Sequence, residues 1–550
     1  MIQKNLRWMA AVLLATNLAA VTPGPVFAGG NGNGKGKGNG GGPTTTPIKH
    51  LVVIFQENVS FDHYFGTYPD ADNPGQEVQF HAKAGTPTVN GLTQGLIDHN
   101  LNQDKNGVFY QPVRLDPSQN YTCDMNHDYT PEQQAFDSGL MDKFPEFAAT
   151  PCSAATFSDV SALGAGIVMG YYDGNTVTGL WNYAQHFAMS DNSFDTVFGP
   201  STPGAINVIS GMTGGADPAT DVGAIAAGDV ITTTLNGVTA SSVIGDPDPA
   251  FDDCSGGERI GMLSNNKNVG DLLSAKGVSW AWFQGGFTPT TKFVPASGNT
   301  PAVLAACATK TNRIDGTPET AYSPHHNPFQ YYKSTSNPHH IAPATMSEIG
   351  HDGPANHQYD LGLFQASAKA NGLPAVTYLK ANRAQDGHPS NSSPLDEQVF
   401  LVSTINFLQT LPEWEDTAVI IAWDDSDGWY DHVMPPIVNQ SSSTADGLTG
   451  PMACGNGSGS LAAQQARCGY GPRLPFLVVS PYAKKNFVDH SLTDQSSVVK
   501  FIEENWELPQ IGNGSFDQIA GSIENMFNFN DQRTDKVILN PSTGQVVFNH

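Results

Sequence analysis

The sequence predicts an α/β fold, a mostly parallel central sheet flanked by helices with loop-rich insertions. Three observations predict it. Short apolar runs without polar alternation recur along the chain, which is the pattern of strands buried on both faces. Helical patterns lie between those runs, and strand–helix–strand order implies right-handed crossovers. Glycine (57) and proline (38) are abundant while charged residues are only 14%, so long loops join the elements. A length of 550 residues suits one large domain with insertions, or two domains.

Residues 1–28 read as a secretory signal peptide. Lys4 and Arg7 form the charged start, Met9 to Ala20 the apolar stretch, and Val26 to Ala28 the small-residue cleavage site. The competing reading is an uncleaved anchor, for which the apolar run is short. There is no Arg-Arg pair, which favours general secretion over the twin-arginine route. The product would be periplasmic or secreted. Residues 29–47 are a Gly-rich flexible linker that cannot build a core.

Residues 48–550 are expected to form a single catalytic domain. Its predicted strands are Leu51–Phe55, Val278–Phe283, Leu373–Leu379, Thr417–Trp423 and Leu474–Ser480, all read as parallel. Helices are predicted over Leu395–Leu411 and Ser491–Leu508, each next to a strand. Residues 214–254 are weakly periodic and rich in Gly, Ala, Thr and Asp, and read as a surface insertion with room for a hairpin. No exposed heptad appears, so a monomer is the default.

The formal charge of −26 excludes a nucleic-acid partner, which needs a basic footprint. It also repels anionic substrates, and a bound cation is the simplest local remedy. An even set of cysteines in an exported chain fits three disulfides: Cys123–Cys152, Cys254–Cys307 and Cys454–Cys468 by nearest-neighbour pairing. A zinc site is the rival reading, but no CxxC or Cys/His spacing supports it.

Ligands of open α/β sheets sit beyond the carboxyl ends of the strands. Two predicted strands end there in oxygen-bearing pairs, Glu57–Asn58 and Asp424–Asp425. Carboxylates brought together repel unless they share protons or a cation, so these four residues are candidate ligands of one divalent metal. Separate capping roles are the alternative. Ser201 lies in a Gly-Pro-Ser-Thr-Pro turn before an apolar segment, where a hydroxyl could be a nucleophile at a helix N-terminus or merely a cap. No GxSxG elbow surrounds it. His127, His325, His326, His388 and His432 lie in Pro- and Gly-bounded loops, where histidines can ligate a metal, bind phosphate oxygens or protonate a leaving group.

Segments reading VVIFQENVSFDHYFGTYP, SDNSFDTVFGPSTPG, HHNPFQYY, DGHPSNSSP, WDDSDGWYDHVMPP and GYGPRLPFLVVSPYAKKNFVDH occur in order, within a resemblance that covers most of Ile48 to about Phe529. Together they resemble the bacterial phosphoesterase family, which holds phosphatidylcholine-type phospholipases C and secreted acid phosphatases and whose fold is similar to the alkaline phosphatase superfamily. The resemblance implies roles. Glu57, Asn58, Asp424 and Asp425 match metal ligands, and Ser201 matches a nucleophile that also contacts the metal. His127, His326 and His388 match catalytic histidines around the phosphate. His325 and His432 match substrate-side positions, His432 less directly. The sequence departs from the family at Val59, where an arginine is usual, and at Gly204, where an asparagine is usual. The first departure threatens a buried ion pair and the second a substrate contact.

The resemblance implies a metal-dependent phosphoric ester hydrolase of acid-phosphatase type, working through a phosphoserine. The cofactor is one divalent ion, with Mg, Ca, Mn, Zn or Fe all compatible with the donors. The alternative is a phospholipase C, whose acyl chains would want an aromatic rim. Trp280, Trp282, Phe283 and Phe287 are the candidates for it, though the first three suit the core. The layout, with no room for the extra β-rich domains of many phospholipase members, is closer to the acid phosphatases. A binding protein on the inherited fold would have lost the nucleophile or ligands. A sulfatase would need an arginine after Ser201-Thr202-Pro203-Gly204-Ala205.

Overall fold

The computed structural model describes residues 42–222, 228–235, 238–448, 453–455, 461 and 466–549. The signal peptide and most of the linker lie outside the described residues. The last linker residues are tied down: Thr45 N donates to Asn505 O at 2.9 Å and Thr46 Oγ1 to Asn505 Oδ1 at 2.7 Å.

Eight strands form the central sheet: β1 (His50–Gln56), β2 (Ala188–Ser190), β3 (Trp280–Gln284), β4 (Gln358–Asp360), β5 (Val376–Lys380), β6 (Thr417–Trp423), β7 (Phe476–Val479) and β8 (Phe487–Asp489). Their order is β4-β3-β5-β1-β6-β7-β2-β8. The neighbours β4, β3, β5, β1 and β6 are parallel, and β7 alone runs against its neighbours. The expected mostly parallel α/β sheet is therefore present, but the strand read at Leu474–Ser480 is antiparallel. An apolar run reports burial on both faces and carries no information about direction.

Five helices matter for the site: α1 (Phe61–Phe65), α2 (Thr178–His186), α3 (Ser201–Ser210), α4 (Pro394–Leu408) and α5 (Ser496–Asn505). The start of α4 follows from its sequence. Ser393 accepts from Asp396 N while Asp396 returns a bond to the Ser393 backbone, with Pro394 at the first turn. Helices α3 and α4 cover opposite faces. Tyr378 reaches the Val208 carbonyl of α3 and is in register, through Val53, with Ile420. Trp423, three residues further along β6 and so on the other face, donates to Glu397 of α4 at 3.0 Å.

The insertion read at 214–254 does contain a hairpin, Val230–Leu235 against Val238–Val243, and its first strand Ala216–Val222 pairs with Arg259–Met262. The three expected disulfides are all formed. No helix among the described residues is long and apolar enough to cross a membrane. Trp280, Trp282, Phe283 and Phe287 are all buried, so none of them is an exposed rim.

Candidate active site

The parallel register of β1 and β6 places Gln56 opposite Trp423, so the residues that follow emerge side by side. Asn58 turns the chain at once, with φ 61°, a left-handed conformation that asparagine tolerates better than other non-glycine residues. Its N–H donates to Asp424 Oδ1 at 2.9 Å, as does Asp425 N–H at 2.8 Å. The two predicted pairs are thus one cluster.

Ser201 opens α3 beneath this cluster. Its Oγ lies 3.1 Å from Glu57 Oε2 and 3.0 Å from Asp425 Oδ2. Close packing fixes that helix: a Cβ on Gly204 would run into the carbonyl oxygen of Asp424. The usual asparagine is excluded at this backbone position by the Asp424 carbonyl, one residue past β6. Val59 is buried in the core, and its N–H donates to Asp425 O at 2.9 Å.

Glu57, Asp424, Asp425, Asp427 and Asp386 are all buried at the site. Burial and the charge of Asp424 push Glu57 and Asp425 well above the usual carboxylate range, and burial and Asp124 do the same to Asp427. Burial also raises Asp424, but bonding to Glu57 and the charge of Lys380 outweigh it and keep Asp424 low. Asn58 Oδ1, Asp424 Oδ2 and Asp386 Oδ2 are buried and accept no hydrogen bond. Glu57, His326 and Asp386 bring donor atoms within 4.8 Å of one another, as do Asp124, His127 and Asp427. Repelling carboxylates with free acceptor atoms are a fitting environment for a hard divalent cation.

The histidines separate by environment. His127 lies 3.9 Å from Asp425 and 3.5 Å from Asp427; burial lowers it, but Asp425, Asp124 and Asp427 outweigh burial and hold it well above its ordinary value. His326 is 3.1 Å from Glu57, yet burial and the neighbouring His325 and Lys380 keep it neutral. His388 stacks on His326 at 6.1 Å, and its Nδ1 is 2.6 Å from the Pro389 carbonyl. His325 reaches Asp248 at 3.4 Å and, against burial, is raised by Asp248 and Asp246. His432 stands elsewhere: Nδ1 pairs with Asp62 at 2.6 Å, and Arg473 joins Asp62 at 3.0 Å and Asp431 at 3.1 Å.

Several residues escaped the sequence. Lys380 is buried at the end of β5 with its Nζ on Glu57 Oε1, and a lysine closing an apolar strand was the available signal. Asp386 stands two residues before His388, and Asp427 accepts from Asn58 Nδ2 at 3.1 Å. Asp246 accepts from Thr202 N at 2.8 Å, so the insertion reaches the helix that Ser201 opens.

Residues 48–509 match the Phosphoesterase family. The chain belongs to that family. Phosphoesterase family relatives include Phospholipase C A of Mycobacterium tuberculosis, 26% identical over 88% of this chain and 78% of that one. The non-hemolytic phospholipase C of Pseudomonas aeruginosa is 28% identical over 34% of this chain and 28% of that enzyme. Among solved structures, murine ectonucleotide pyrophosphatase/phosphodiesterase 5 covers 64% of this chain and 95% of its own at 10% identity, with a TM-score of 0.30. A mutant of the alkaline phosphatase PafA covers 64% and 94% at 11% identity and a TM-score of 0.29. Membership makes the chain a hydrolase of phosphate esters.

Proposed function

We propose that the protein is an exported, metal-dependent phosphoric ester hydrolase of acid-phosphatase type, with Ser201 as nucleophile. The observation that carries this is the Ser201 hydroxyl, within hydrogen-bond reach of two buried carboxylates at a helix N-terminus. Glu57, Asn58, Ser201, Asp424 and Asp425 would hold one divalent ion. That ion would supply charge for the phosphoryl oxygens and acidify the serine.

Ser201 releases its proton to water, and Oγ attacks phosphorus in line with the leaving oxygen. The P–O bond to the leaving group breaks, and a histidine returns a proton to the departing alkoxide. His127 is the best placed, because the acids around it keep it charged, whereas neutral His326 orients Glu57. His388 and His325 line the approach. Water then cleaves the phosphoserine, releasing phosphate and restoring the hydroxyl. Three disulfides accord with an oxidising compartment.

The names of its relatives favour a second reading, phospholipase C, in which the same site cuts a diester and releases a phosphorylated headgroup. Phosphorus NMR with a simple phosphomonoester and short-chain phosphatidylcholine separates the two. Inorganic phosphate from the monoester is expected, and phosphocholine appearing first would install the second reading. Unaltered turnover by Ser201→Ala would defeat both.

A further inference from the structure

The geometry points to Asp246 as the residue that sets the charge of the substrate: it selects phosphoryl groups bearing one negative charge over those bearing two. This rests on the hydrolase reading above and names the substrate class of that same site. Singly charged groups are phosphodiesters, and monoesters only while one oxygen keeps its proton.

The first free amides of a helix are a ready anion site, and here they adjoin the nucleophile. Thr202 N–H, one residue after Ser201, is already taken by Asp246 Oδ1 at 2.8 Å. A phosphoryl group on Ser201 therefore loses a donor and gains a fixed negative neighbour. Asp246 also raises His325, together with Asp248, so its charge is felt on the histidine side of the site as well. A dianion placed there meets that negative charge more strongly than a monoanion does. Asp229 and Tyr331 also feel the charge of Asp246, Asp248 adds a second acid beside it, and Arg383 is the cation that acts on the same histidine.

Asp246 is exposed, but the backbone that carries it is held on both sides. Tyr331 OH donates to Pro247 O at 2.6 Å and meets Thr202 Oγ1 at 3.2 Å. On the other side, Gly245 N donates to Asp229 O at 3.1 Å. The insertion thus places one charge at a fixed point beside the nucleophile.

The test compares kcat/KM for p-nitrophenyl phosphate and bis(p-nitrophenyl) phosphate at one pH above about 6, where the monoester is a dianion. Asp246→Asn and Asp246→Ser both keep an oxygen that caps Thr202 N–H, so either can report if the other unfolds. Removing the charge should raise the monoester-to-diester ratio about five- to tenfold. Asp246→Glu should hold the ratio near that of the wild type. Equal ratios in the wild type and the neutral variants overturn the inference. Calorimetric binding of inorganic phosphate and dimethyl phosphate reads the same preference without turnover. A wild type that cuts neither ester, yet gains affinity for inorganic phosphate alone on Asp246→Asn, defeats the hydrolase reading and keeps this one. Unchanged binding of both ions overturns it.

Discussion

Ser201 cannot give up its proton unaided, because a free hydroxyl is a poor nucleophile. Ser201→Ala should lower kcat by at least about a thousandfold, with a melting temperature close to the wild type, since only one buried oxygen is lost. Lys380 compensates Glu57 from a fully buried position. Lys380→Met leaves that cluster uncompensated and should cost about 3–5 kcal/mol in urea unfolding. Adding Glu57→Gln should recover much of that loss, and a double mutant no more stable than the single would sink the account. His432 carries a pH signature. Burial lowers it, but Asp62 outweighs burial and lifts it above its ordinary 6.5, while His432 and Arg473 hold Asp62 below its ordinary 3.8. The His432 contribution is therefore complete below 6.5 and fades as pH rises through the folded-state value. The Asp62 contribution fades at the other end, as pH falls below 3.8 through its own folded-state value. The stability gap between wild type and His432→Gln should be widest in mild acid and shrink in alkali. At this scale the sequence exposed Glu57, Asn58, Asp424 and Asp425 because adjacent acids end apolar strands. Asp386 and Asp246 stayed hidden, since their meaning comes only from neighbours distant in the chain, and Lys380 left no more than its place at the end of an apolar strand.

Helix α3 and the segment that leaves β6 are locked together where Gly204 meets the Asp424 carbonyl. Gly204→Ala must push the helix away, shifting Ser201 relative to Asp425. We expect activity to fall at least about tenfold, a loss disproportionate to any fall in melting temperature. The Cys123–Cys152 bond closes a 29-residue separation that contains His127. Its removal by paired alanines should cost about 3–4 kcal/mol and loosen the histidine loop, seen as raised proteolysis between them. Strands β1, β3, β5 and β6 were readable as apolar runs. The three-residue strands β2, β4 and β8 were not, because three residues establish no period and their pairing is decided by the sheet they join.

The whole molecule is strongly acidic, at −26, around a site meant for anions. Association with phosphate esters should be slowed at low salt and speeded as ionic strength screens that field, an effect read in kcat/KM and absent with an uncharged competitor. A chelator should abolish turnover and also lower the melting temperature, because the clustered carboxylates would repel unrelieved. Readdition of a divalent ion should restore both. The overall class was legible because burial on both faces leaves a simple apolar record. The closeness of the 214–254 insertion to Ser201 was not, since polar loops leave no periodic trace of where they land.

The pairing of β1 with β6 has a consequence for the protein's biosynthesis. Asn58 and Asp424 meet across a separation of 366 residues. On the ribosome, the early half of the site waits unfinished until the chain has emerged past Asp425. A nascent chain that has not yet emerged past Asp425 therefore lacks half of the cluster around Ser201, whatever the rest of it has folded into.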